Sequence, residues 1–160
     1  MKMEIRLERT AVDKLKAKPD ENGLGFGRYF TDHMFVMAFE PGKGWQDGVV
    51  VPYQSFQLDP AAMVFHYGQA IFEGLKAYRS KDDTIYLFRP AANLERMNIS
   101  AARMCMPEID VPAVLEALKT LLRVEKDWVP KAHGATLYIR PTMIASEAGL
   151  GVRPAKKFLF

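Results

Sequence analysis

At 160 residues the chain is long enough to enclose one hydrophobic core and too short for two comfortable ones, so one domain is expected. Hydrophobic residues make up 49% and charged residues 26%, a soluble globular balance, and no apolar run approaches the ~20 residues of a membrane span, so no membrane partner is expected. The net charge of +3 is spread among acids along the chain and favours a small anionic ligand over a nucleic-acid tract.

Residues 1–22 hold few large apolar side chains and end in Lys18-Pro19-Asp20-Glu21-Asn22, the pattern of a surface arm or short edge strand. The N-terminal charges alternate without an apolar signal core, so a cytoplasmic location is expected. Residues 23–160 form the predicted domain. Gly23-Leu24-Gly25-Phe26-Gly27 fails as a phosphate cradle because no helix follows it, and a loop of close backbone approach is expected instead. The run Phe30 to Phe39 predicts a strand entering a hairpin with Trp45 to Tyr53, with Pro52 at an edge or a strand end. Gln57-Leu58-Asp59-Pro60 predicts a turn, and Phe65-His66-Tyr67-Gly68 an aromatic turn.

Gly74 to Arg79 and Thr84 to Phe88 predict a hairpin around Ser80 to Asp83. Pro90 opens a predicted helix through Met104, with Leu94, Met97 and Ala101 on one stripe and Asn93, Arg96, Ser100 and Arg103 on another. A second helix is predicted from Val111 to Trp128, capped by Asp110, with Pro112 in its first turn and Leu115, Leu118 and Leu122 in its buried stripe. Ala135 to Pro141 predicts a strand that puts Tyr138 and Arg140 on one face. Ser146 to Val152 predicts a loop, and Lys157 to Phe160 opens an apolar run that stops mid-pattern, as in a truncated domain. The predicted fold class is α+β, a mostly antiparallel sheet with helices packed on it.

One cysteine, Cys105, excludes an internal disulfide and paired-cysteine zinc sites, and the scattered His33, His66 and His133 suggest structural roles and no metal. Arg96, expected on the first turns of its helix, brings a guanidinium fork to an anion-favouring helix end, although an ion pair with Glu95 or another acid would also account for it. Arg140, among Leu137, Tyr138 and Ile139 and followed by proline, is expected to be partly buried and to need an acceptor, which a structural salt bridge would also supply. Tyr67 and Tyr138 offer phenolic donors on apolar rings, and Phe26 and Phe72 offer wall. Glu73, before Gly74, is a potential general base, although a glutamate at a strand start is usually solvent-facing or else bonded to nearby backbone. Lys76 lies on a strand with nothing to mark it as desolvated. These residues predict a concave, aromatic, anion-attracting face and leave the reaction open.

The segments FGRYFTDHM from Phe26, FHYGQAIFEGLKAYR from Phe65, LFRPAANLERM from Leu87, KDWVP from Lys126 and LYIRPTMIASEAGLGV from Leu137 resemble the branched-chain amino acid aminotransferases, pyridoxal-phosphate enzymes of fold type IV. The resemblance implies the small N-terminal domain of a two-domain enzyme of branched-chain amino acid biosynthesis. It implies that Arg96 binds the cofactor phosphate and Tyr67 the substrate carboxylate. It makes Phe26, Phe72 and Tyr138 the walls around the side chains of leucine, isoleucine and valine. Arg140 would meet the distal carboxylate of glutamate or 2-oxoglutarate, and Leu150 and Val152 would reach the site of the neighbouring subunit of a homodimer. The family's covalent cofactor lysine lies beyond Phe160, so this stretch alone is expected to be inactive. A non-catalytic ligand-binding or interaction module of the same fold, or another fold type IV enzyme such as a D-amino acid transaminase or a lyase, is the alternative.

Overall fold

Short runs rich in β-branched, aromatic and other apolar residues supply the strands, none longer than five residues among the described residues. The computed structural model describes residues 3–160. In chain order these form β1 (Ile5–Leu7), β2 (His33–Val36), β3 (Ala38–Glu40), β4 (Gly44–Trp45) and β5 (Gly48–Pro52). Then follow α1 (Met63–Tyr67), β6 (Ala70–Phe72), β7 (Leu75–Arg79), β8 (Ile85–Leu87), α2 (Pro90–Arg103), α3 (Val111–Val124), β9 (Leu137–Ile139), β10 (Thr142–Ala145) and β11 (Phe158–Leu159). The strands assemble in the orders β1-β5-β2, β4-β3-β11-β10-β6 and β8-β7-β9. The β1–β5 ladder is parallel and the other ladders are antiparallel, so the α+β fold class is as the sequence predicts.

The strand expected from Phe30 to Phe39 is divided at Met37. β2 pairs with β5, whereas β3 pairs with β4 and β11. Met37 itself exchanges backbone hydrogen bonds with Phe160, at 3.0 and 2.9 Å, and its side chain is buried. The predicted hairpin therefore splits between two sheets. Pro52 ends β5, where its missing N–H costs no ladder bond, but β5 is the middle strand of its sheet. It escapes the usual edge rule because β1 reaches only as far as Val50 along it.

The N-terminal residues form an edge strand, β1, and are tied down by a buried polar knot. Thr10 N–H donates to His33 Nε2 at 2.8 Å, and Lys16 N–H donates to Asp32 Oδ1 at 2.9 Å. His33 Nδ1 meets Glu125, Asp32 N–H donates to the same carboxylate at 3.1 Å, and Trp128 Nε1–H donates to Asp32 Oδ2 at 2.7 Å. Burial pushes the Asp32 carboxyl up, but the Lys16 N–H, Trp128 and Lys18 outweigh it and hold the group below its ordinary value. Both ring nitrogens of His33 are engaged, which makes it structural.

Two helices cover the sheets as their apolar periodicity requires. α2 buries Leu94, Met97 and Ala101 in a core with Met63, Ile71 and Met143. α3 buries Leu118 and Leu122 against Leu75 and Ala77 of the β8-β7-β9 sheet. The Asp110 carboxylate accepts from Ala113 N–H at 2.9 Å, as predicted for its N-cap. α3 ends at Val124 and a 3-10 turn carries the chain on to Trp128, which leaves the Glu125 carboxylate in the polar knot. Leu94→Ala should cost about 2–5 kcal/mol of stability because Leu94 is wholly buried, and Asp110→Ala about 1 kcal/mol through the lost cap. Urea unfolding of the two variants checks both values and their order.

Candidate functional site

Two pairs of strands, β6 with β10 and β7 with β9, are the halves of one bent antiparallel ribbon. The register is continuous across the bend: Phe72 lies opposite Thr142 on one side, and Leu75 opposite Ile139 on the other. Between them Glu73 N–H donates to Pro141 O at 2.9 Å, and Pro141 has no N–H to return the bond. The ladder is thus interrupted where Glu73-Gly74 faces Arg140-Pro141, and the chain passes there from one sheet to another. A Cβ on Gly74 would overlap the Tyr138 hydroxyl, so glycine lets that phenol lie across the bend.

On one side of the bend stands an ion pair. Glu73 Oε1 accepts from Arg96 Nε at 2.6 Å and Oε2 from Nη2 at 2.8 Å. Oε2 also accepts from Gly74 N–H at 3.1 Å and from Asn93 Nδ2 at 3.2 Å, and Asn93 Nδ2 donates to Gly74 O at 3.1 Å. The Glu73 side chain is 6% exposed and that of Arg96 is 65% exposed, so the acid is buried and the base projects. The Arg96 guanidinium holds the Glu73 carboxyl down to about 2, against the opposing push of burial and with help from Asn93 and the Gly74 N–H. Glu73 is therefore a weakly basic anion at neutral pH, engaged by four donors, which argues against its use as a general base.

Two sequence expectations change here. Glu73 does not face solvent: it continues the inward alternation of Ile71, Leu75 and Ala77, and that period of two was the signal for it. Arg96 is the seventh residue of α2, roughly 9 Å along the axis from the helix start, so the N-terminal N–H groups do not reinforce it. Its anion affinity comes from its own charge and from the position Glu73 gives it.

On the other side of the bend lies an aromatic cluster. Phe26 meets Tyr138 edge to face at 4.9 Å between centroids. Tyr138 Oη accepts from Arg140 Nε at 3.2 Å and Nη2 at 3.0 Å, and the Arg140 guanidinium carbon lies 4.3 Å over the Phe72 ring. Arg140 is exposed, not partly buried as predicted: β9 ends at Ile139, and the side chain folds back over two rings without an acid partner among its hydrogen bonds. Phe26 and Phe72 are 70% and 63% exposed. Phe26, Tyr138 and Arg140 line an open groove of about 1110 Å³ that Tyr67, Phe72 and Arg96 do not line. Glu73-Gly74 at the bend lies between the Arg96 ion pair and this aromatic cluster, which gives an arginine patch and an aromatic patch side by side.

Tyr67 ends α1, which Gly68 caps with φ 63°. Its hydroxyl donates to Leu150 O, and the loop carrying Leu150 is braced by Arg153 Nη2 on Glu147 Oε1 at 2.6 Å. Leu150 is exposed and Val152 is 90% exposed.

No family model matches the chain. It is 57% identical over 151 residues, 94% of its length, to branched-chain-amino-acid aminotransferase 2 of Bacillus subtilis (strain 168), and 53% identical over 154 residues to branched-chain-amino-acid transaminase 1 of the same organism. The chain is a homologue of the branched-chain aminotransferases. It covers 41% and 43% of those two relatives, so it spans about two fifths of the length of the curated relatives it matches. Among solved structures, a branched-chain amino acid aminotransferase complexed with N-(5'-phosphopyridoxyl)-L-glutamate superposes with a TM-score of 0.59 at 22% identity, over 79% of this chain and 39% of that one. The branched-chain aminotransferase of the archaeon Thermoproteus uzoniensis with norvaline gives 0.58 at 22%, and the Escherichia coli branched-chain amino acid aminotransferase 0.56 at 20%, each over 79% of this chain and 39% of the other. These likenesses establish the shared fold.

In this aminotransferase homologue the low Glu73 value fixes a sign for acid stability. The ionised carboxylate stabilises the fold above its ordinary value of 4.5, and that contribution is lost as pH falls from there to about 2. Urea unfolding from pH 7 to pH 2 should show the native chain more stable than Glu73→Gln at neutral pH, with the difference shrinking across that window. A constant difference would contradict the ion pair.

Proposed function

We propose that this chain is the small N-terminal domain of a pyridoxal-phosphate-dependent branched-chain aminotransferase that transfers the amino group of leucine, isoleucine or valine to 2-oxoglutarate. The observation that carries the reading is the 57% identity to a Bacillus subtilis enzyme of that name across 94% of the chain. The activity is that of the whole polypeptide carrying this chain, which spans about two fifths of the length of the relatives it matches.

The residues suit a phosphorylated cofactor. Arg96 gives Glu73 only Nε and Nη2, so Nη1 carries no hydrogen bond among the described residues and faces out with the exposed guanidinium, in position to donate to a phosphate oxygen. When bound, pyridoxal phosphate supplies an electron sink for the substrate's Cα. The chain's own residues bind and orient. Tyr67 turns its hydroxyl from Leu150 O to the substrate carboxylate. Phe26, Phe72 and Tyr138 bury the branched side chain and exclude water, which favours leucine, isoleucine and valine through apolar contact. Arg140 leaves Tyr138 to meet the distal carboxylate of glutamate or 2-oxoglutarate, so one pocket accepts an apolar and an acidic side chain in turn. Leu150 and Val152 project towards the active site of the neighbouring subunit in a cytoplasmic homodimer.

The polypeptide carrying this chain, incubated with leucine, 2-oxoglutarate and pyridoxal phosphate, should form glutamate. No glutamate from leucine, isoleucine or valine, with turnover of D-amino acids instead, would contradict the substrate assignment. No turnover of any amino acid would favour a binding module. Arg140→Ala should raise KM for 2-oxoglutarate more than KM for leucine, since only the acid loses a charged partner; equal changes would remove Arg140 from that role.

A further inference from the structure

A surface arginine with a long, freely rotating side chain is a poor clamp, because its side-chain freedom must be given up when the ligand arrives. Arg96 is exposed yet not free. Its Nε and Nη2 are spent on Glu73, which leaves three of the five guanidinium N–H donors, including both on Nη1, pointing away from the carboxylate. The carboxylate is fixed in turn. Gly74 N–H holds Oε2 through the backbone at the ribbon bend, and Asn93 holds the same oxygen from one turn earlier on α2. Helix α2 thus supplies both the arginine and one of the groups that orient its partner, and the bend supplies the rest.

We propose that Glu73, with Asn93 behind it, is a positioning residue that holds the Arg96 guanidinium ready for the phosphate group of the cofactor. The inference rests on the reading of Arg96 as the phosphate-binding arginine. Glu73 touches neither cofactor nor substrate; it acts through Arg96.

Two other roles for the pair predict different results. If Glu73 merely fastens α2 to the sheets, its loss lowers stability and affects phosphorylated and unphosphorylated ligands alike. If it matters only as a charge, it neutralises Arg96, and removing it strengthens the pull on a phosphate dianion. Positioning alone predicts weaker binding that is confined to the phosphate.

The discriminating quantity is the ratio of the dissociation constants for pyridoxal and pyridoxal phosphate, measured by absorbance titration of the apoprotein of the polypeptide carrying this chain. Glu73→Gln keeps the shape but places an amide N–H donor against the guanidinium. It should lower the ratio on the order of tenfold, the scale on which outer partners of a ligand-binding group act, with pyridoxal binding little changed. Asn93→Ala keeps the ion pair, should lower the ratio by less, and decides the matter if Glu73→Gln does not fold. A ratio that is unchanged or raised in the folded variants overturns the positioning role. Arg96→Ala separates the two levels of the argument: a ratio unchanged in that variant removes the phosphate role of Arg96, and the inference falls with it. A collapsed ratio there, with the native ratio in both other variants, overturns Glu73 alone.

Discussion

A carboxylate taken out of water must be compensated, and the arrangement of this site follows from how Glu73 meets that demand. Its direction at the bend is set by the alternation of the ribbon, inward between Ile71 and Leu75. Its four donors come from an arginine, an asparagine and the next backbone N–H. Because Asn93 and Arg96 sit three residues apart on α2, satisfying one carboxylate fixes both the seat of the helix on the sheets and the direction of the guanidinium. Loss of Arg96 would leave the buried Glu73 charge uncompensated, which gives the contact more weight than an ordinary surface ion pair.

The bend beside Glu73 has a second consequence. With no N–H on Pro141 and no Cβ on Gly74, the ribbon changes sheet while keeping its register, and the phenol of Tyr138 lies across the gap. The arginine patch and the aromatic patch are therefore held by one short piece of backbone. Arg140 is poised differently from Arg96. It rests over Phe72 and on the Tyr138 hydroxyl, contacts weak enough to give way, whereas Arg96 is clamped by a carboxylate. A clamped guanidinium suits a group that is always the same, and a loosely held one suits a pocket that must serve two kinds of side chain.

Much of the fold was legible because its signals are local. The β7–β8 hairpin, the start of α2 at Pro90, the Asp110 cap and the stripes Leu94-Met97-Ala101 and Leu118-Leu122 depend on residues within a turn or two. What was not legible depended on distant partners. Nothing near Met37 announces that Phe160 takes its backbone bonds and divides the predicted hairpin. Glu73 set two rules against each other, charge pointing out and period two pointing in, and the second prevails only because Arg96, 23 residues on, supplies the counter-charge. The pairing of Tyr138 with Arg140 followed from spacing, but the exposure of Arg140 depended on β9 ending one residue before it. The family resemblance carried the roles of Arg96, Tyr67, Phe26, Phe72, Leu150 and Val152; the residues alone reached an anion-attracting aromatic surface.

In the proposed function, a guanidinium fixed by Glu73 is the seat of the phosphate. A crystal structure of the polypeptide carrying this chain with pyridoxal phosphate bound tests it most directly. A phosphate oxygen is expected within hydrogen-bonding distance of Arg96 Nη1 while Nε and Nη2 remain on Glu73. A phosphate bound elsewhere, or an Arg96 that leaves Glu73 to reach it, would contradict the role of the ion pair.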